Sequence, residues 1–145
     1  MTSRVFVDTN VWVYTVDDNE PDKQARARQV VAPSPDKDVV VSAQVLGEFY
    51  VTVRRKLAEA LPEPQAQALV DRLRRLPVVA IDGDLVSSAI EKTAAWQVSY
   101  WDALILSAAE TSGCDVVLSE DLSHGRTYGP VRAENPFIDP GEPAG

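Results

Sequence analysis

Arg4-Val5-Phe6-Val7-Asp8-Thr9-Asn10-Val11-Trp12-Val13-Tyr14 decides how the rest of the chain is read. Its apolar opening suits a short buried strand. Asp8 then falls where the strand should end, Thr9 and Asn10 favour a turn, and the apolar residues resume as a short helical piece. An acid at the carboxyl end of a first strand faces the crevice in which open α/β sheets hold ligands. Asp is also a favoured helix cap, and Asp8 alone does not choose between the two roles.

Downstream, the pattern repeats. A helix over residues 22–31 ends at Pro33-Ser34-Pro35, and Val39-Val40-Val41-Ser42 reads as a second buried strand. From Ala43 the period turns helical, with Leu46, Phe49, Tyr50, Val53 and Leu57 as its apolar stripe. Pro62 and Pro64 close that helix, and an amphipathic one follows over residues 65–76. Val78-Val79-Ala80-Ile81 is a third strand, and a helix follows over residues 85–95. Residues 103–109 are apolar nearly all round, as in a buried helix that Gly113 terminates. Val116-Val117-Leu118-Ser119 is a fourth strand, and Val131 to Glu134 a short fifth at an edge. This alternation predicts an α/β fold: a mostly parallel sheet of four to five strands with helices on both faces, in one domain over residues 1–138. Residues 139–145 read as a flexible tail.

Bulk properties narrow the class. The chain has 145 residues, one cysteine and a formal net charge of −8. The acidic balance argues against strong non-specific nucleic-acid binding, which needs a basic patch, yet leaves room for an enzyme that touches a short stretch of RNA. Cys114 has no disulfide partner and suits a reducing compartment. No stretch approaches membrane-spanning length and no signal peptide is visible, so the expected location is the cytoplasm.

The sidedness of right-handed crossovers brings four acids to one edge. Asp8 ends the first strand, and Asp121 follows the fourth. Glu48 lies in the second turn of the helix leaving the second strand. Asp102 opens the helix feeding the fourth. Each has a plainer role: Glu48 on a solvated helix face, Asp102 in a Ser99-x-x-Asp102 capping box, Asp121 in a turn. Together, carboxylates about 4 Å apart repel by roughly 4 kcal/mol at an effective dielectric near 20, so such a cluster takes up protons or binds a cation. Oxygen ligands without thiols or imidazoles favour Mg²⁺ or Mn²⁺ over Zn²⁺, and carboxylate-held Mg²⁺ suits phosphodiester chemistry. Glu120, a fifth acid in sequence, should point elsewhere, and His124 reads as a loop residue.

Residues 6–11, 41–49, 100–105 and 118–125, in that order and spacing, resemble the PIN-domain ribonucleases, and look closest to the VapC toxins of toxin–antitoxin modules. The likeness runs from Val5 to about Phe137. It implies a metal-dependent endoribonuclease with Asp8, Glu48, Asp102 and Asp121 as its acidic quartet and Mg²⁺, or Mn²⁺, as cofactor. Cleavage by water would leave 5′-phosphate and 3′-hydroxyl ends. Asn10 matches a polar position beside the first acid, while Ser42 and Ser119 stand at strand ends within reach of the acids. The resemblance also implies a homodimer, a cognate VapB-type antitoxin and an RNA substrate, with Arg54, Arg55 and Lys56, then Arg26 and Arg28, as candidate phosphate contacts. Cations on a helix are most often its solvated face. Trp12, Trp96 and Trp101 offer rings for base stacking, although core or interface packing is the commoner use of such rings. Two other readings compete. A non-catalytic PIN-like scaffold would only bind protein. A phosphotransferase of the haloacid dehalogenase type would want an acid where Asn10 stands.

Overall fold

A computed structural model of the chain describes residues 2–138; the expected tail at 139–145 lies outside them. The first strand, β1 (Ser3–Val7), leads into α1 (Thr9–Tyr14) and α2 (Pro21–Val31). Strand β2 (Lys37–Ser42) is followed by α3 (Ala43–Lys56), α4 (Glu63–Leu73) and β3 (Val78–Val79). Helices α5 (Gly83–Trp96) and α6 (Tyr100–Thr111) return the chain to β4 (Val116–Leu118), and β5 (Thr127–Tyr128) and β6 (Val131–Glu134) complete the sheet.

The sheet has six strands in the order β3-β2-β1-β4-β6-β5. All neighbours pair in parallel except β5 and β6. The chain steps outward from β1 to β3, then crosses back to place β4 on the other side of β1. That reversal makes the gap beyond the carboxyl ends of β1 and β4 a topological switch point. Helices α1, α3 and α4 pack as one group and α5 with α6 as another, on opposite faces because right-handed crossovers run in opposite directions there. Val5, Phe6 and Val7 are buried in succession, as a strand covered on both faces must be.

Three sequence expectations need correction. The segment Val131–Glu134 is not an edge strand: it pairs with β4 on one side and β5 on the other. The true edge, β5, is only two residues long, too short to show a period-2 pattern, and Gly129 at φ +61° turns the hairpin between them. Pro64 does not stand outside a helix but in the first turn of α4, where its missing N–H costs nothing. The buried face of α3 runs through Val45, Phe49 and Val53, with Leu46 and Tyr50 only partly covered.

Candidate active site

The site grows from the end of β1. Asp8 caps α1, its Oδ1 accepting the Thr9 N–H at 2.7 Å, so the cap reading holds. The other oxygen, Oδ2, accepts a hydrogen bond from Ser119 Oγ at 2.8 Å, across the junction with β4. The same Ser119 oxygen accepts the Asp121 N–H at 3.1 Å. Asn10 completes the connection. Its amide donates to Asp121 Oδ2 at 3.1 Å, and its carbonyl accepts the Glu120 N–H at 3.1 Å. One serine and one asparagine thus fix the segment after β4 against the segment after β1.

The other two acids reach the crevice from helix starts. Ser42 Oγ caps α3 by accepting the Val45 N–H at 3.3 Å. Buried in that role, it makes no hydrogen bond to an acid, unlike Ser119. Glu48 follows in the second turn of α3. Ser99 Oγ caps α6 by accepting the Asp102 N–H at 3.1 Å, which realises one half of the capping box and sets Asp102 in the first turn of that helix.

The acids share one electrostatic neighbourhood. Burial raises the Asp8 pKa to about 6; its hydrogen bonds from Ser119 and Thr9 oppose the shift, and the charges of Glu48 and Asp121 add to it. Glu48 is raised by partial burial and then by Asp102 and Asp121, against a Gln44 hydrogen bond. Asp102 is likewise raised, by partial burial and by Asp121, against its Ser99 bond. Among the described residues none of the four takes part in an ion pair; the cations lie elsewhere. Glu120 differs: its carboxylate accepts from Lys23 Nζ at 2.6 Å and from the Tyr14 hydroxyl at 2.9 Å, turned away from the crevice.

Hard oxygen donors without a neutralising side chain suit a divalent cation. Among the described residues, no three His, Cys, Asp or Glu side chains stand close enough together to form a ready-made cage. The set is therefore gathered without being closed. Asp8 is buried and held by two hydrogen bonds, Asp121 is exposed and held by the Asn10 amide, and Glu48 is exposed.

The remaining candidates lie apart. Arg54, Arg55 and Lys56 occupy the last turn of α3, about 18 Å along its axis from the Ser42 cap. Arg54 also donates to the Leu61 carbonyl at 3.2 Å. Arg26 and Arg28 donate to the carbonyls of Pro136 and Thr15. His124 accepts the Asn135 N–H through Nδ1 at 3.0 Å, stabilising its loop. Sequence reasoning missed the role of Tyr14 and Lys23 in holding Glu120. The signal was present in Lys23, a helical cation in reach of an acid after β4, but only the fold brings the two together.

The fold has known relatives. The PIN domain family model matches residues 5–130, and the chain belongs to the PIN domain family. Against curated protein sequences it has no significant match. Among solved structures, it is similar to Mycobacterium tuberculosis VapC20, a sarcin–ricin-loop-cleaving toxin, at 23% identity and a TM-score of 0.64, over 81% of this chain and 89% of that one. A toxin–antitoxin complex from Klebsiella pneumoniae matches at 16% identity and a TM-score of 0.66, over 92% and 98% of the two chains. VapBC2 from Rickettsia felis, bound to a promoter DNA fragment, matches at 19% and 0.64, over 91% and 98%. At these identities the likeness is one of fold. Among the described residues no helix is long and apolar enough to cross a membrane.

Proposed function

We propose that the chain is a divalent-metal-dependent endoribonuclease acting as the toxin of a toxin–antitoxin module. The observation that carries this reading is the convergence of Asp8, Glu48, Asp102 and Asp121, none of them ion-paired among the described residues, at the switch point of a PIN fold. Bound there, Mg²⁺ or Mn²⁺ would supply Lewis acidity and neutralise charge on the attacked phosphate. The four acids would hold it. Ser119 and the Thr9 N–H keep Asp8 oriented, and Asn10 keeps Asp121 beside it. The reaction class is hydrolysis: water attacks phosphorus, the 3′ oxygen leaves, and the product carries a 5′-phosphate.

A protein partner fits the same reading. Trp12, Val16, Phe49, Leu69 and Leu73 line an apolar groove of about 520 Å³ with Arg28 and Arg72 beside them, and none of the four acids lines it. An antitoxin segment seated there would cover apolar surface while leaving the acids to a basic side chain further along the same peptide. Dimerisation belongs to this proposal too, by analogy with the toxin–antitoxin assemblies of the same fold.

The test is cleavage of a pool of structured RNAs by antitoxin-free protein, with and without Mg²⁺ or Mn²⁺, comparing wild type with Asp8→Asn. Metal-dependent cuts bearing 5′-phosphates, absent from the variant, are expected. Equal cutting by both proteins would overturn the site. No cutting by folded protein under any metal would favour the binding-scaffold reading.

A further inference from the structure

The tryptophans have different surroundings. Trp12 is buried and donates its indole N–H to the Val7 carbonyl at 3.1 Å. Trp96 packs edge-on against Tyr128, ring centroids 5.7 Å apart, with the Lys92 ammonium 4.6 Å from its ring. Trp101 is 64% exposed. A large apolar ring left mostly in water forgoes the gain of burial.

Trp101 is nonetheless held in place. Tyr100 meets it edge-on, centroids 5.0 Å apart at 74°. The Trp101 carbonyl accepts the Gln44 side-chain amide at 3.3 Å, which ties the first turn of α6 to the first turn of α3. The next residue along is Asp102, and Glu48 lies one turn further down α3. The ring therefore projects from the turn that also carries Asp102, and that turn is tied to the helix carrying Glu48. Among its sequence neighbours Ser99 and Gln97 are polar and exposed, while Val98 and Tyr100 are partly covered.

We infer that Trp101 is a base-stacking platform, on which an unpaired nucleobase beside the scissile phosphate lies so that the phosphate is carried over the acids. The inference rests on the nuclease reading of those acids. It answers a difficulty in that reading: a chain of net charge −8 repels a polyanion, and the basic residues Arg54, Arg55 and Lys56 sit at the far end of α3. Stacking needs no charge complement. It accepts any base, because every base has a π-face, but only a base that is free to leave its helix. Trp101 thus selects single-stranded loops over duplex.

The experiment uses the full chain. A fluorescein-labelled single-stranded RNA of mixed sequence is titrated against Asp8→Asn protein with Trp101 intact, with Trp101→Ala and with Trp101→Phe, and steady-state cleavage is measured for the Trp101 variants in the native background. Trp101→Ala should weaken RNA binding and raise KM by about 10-fold, with kcat close to native. Trp101→Phe should recover most of the loss, and affinity for the same sequence annealed into duplex should not change. If wild type cleaves RNA and Trp101→Ala matches it in Kd and KM, the platform is overturned and the nuclease reading stands. If wild type cleaves nothing but the Trp101-dependent loss of binding persists, the platform stands and the nuclease reading fails. A Trp101→Ala variant that shifts from dimer to monomer with unchanged RNA affinity per protomer would assign the ring to a contact between copies, and overturn the proposal.

Discussion

Ser119 donates a hydrogen bond to Asp8 at 2.8 Å, joining the carboxyl ends of β4 and β1. The same oxygen accepts from Asp121, so a single hydroxyl serves both acids. Ser119→Ala leaves a buried carboxylate oxygen without its donor and should destabilise the fold by about 1–3 kcal/mol. Because that bond lowers the Asp8 pKa, its loss should raise the pKa further and move the acid limb of the cleavage profile to higher pH. Urea unfolding and a pH–rate profile of the variant check the two effects separately.

Asp8 also predicts how stability varies with pH in metal-free protein. Its pKa in the fold is about 6, against an ordinary 3.8. Between those values the folded chain holds the proton more tightly than the unfolded one, so stability falls as pH rises from about 4 to 6 and levels off above. Two pH units correspond to roughly 3 kcal/mol. The raised Glu48 and Asp102 act in the same direction. Asp8→Asn should flatten this dependence in urea titrations with EDTA present; parallel pH curves for the two proteins would show that Asp8 is not the group responsible.

Cation binding should reverse that penalty. Mg²⁺ or Mn²⁺ at a hundred times its Kd stabilises a binding-competent fold by about 2.7 kcal/mol. The melting temperature of wild type should therefore rise with added metal at neutral pH, and that of Asp8→Asn or Asp102→Asn should rise much less. Calorimetric scans at several metal concentrations make the comparison. Equal rises would place the cation elsewhere.

Glu120 and Asp121 are neighbours in sequence with opposite surroundings. Glu120 is bound by Lys23 and Tyr14, with the Lys23 ammonium 4.8 Å from the Tyr14 ring centre. Glu120→Gln should keep cleavage within a few-fold of native, whereas Asp121→Asn should lose it. Since both Lys23 and Glu120 are partly exposed, the stability cost of Glu120→Gln should stay within about 1 kcal/mol. Paired rate assays of the two variants settle which acid faces the substrate.

Much of this arrangement was legible in the chain. The strands β1, β2 and β4 are unbroken apolar runs, which only burial on two faces explains, and their alternation with helices led to the parallel sheet. Ser99 three residues before Asp102 announced a helix start. The short elements were not legible. Two residues, Thr127 and Tyr128, carry no periodic signal, so β6 looked like an edge. Glu48 sat outside its helix's apolar stripe and resembled solvated surface, because a residue facing a polar crevice has the same pattern as one facing water. Ser42 and Ser119 end the two strands that flank β1, yet one caps a helix and the other reaches Asp8, because α3 begins directly after Ser42 and takes its hydroxyl while no helix begins directly after Ser119.

The hydrogen bond from Ser119 to Asp8 closes over 111 positions of sequence. The first acid is made well before β4, and until β4 follows it has no partner strand on that side. A nascent chain halted before β4 holds Asp8, Glu48 and Asp102 but has no strand on the β4 side of β1, and none of the contacts that Asp8 and Asn10 make to Ser119, Glu120 and Asp121. Whatever chemistry the crevice performs cannot begin until β4 has been made and laid beside β1.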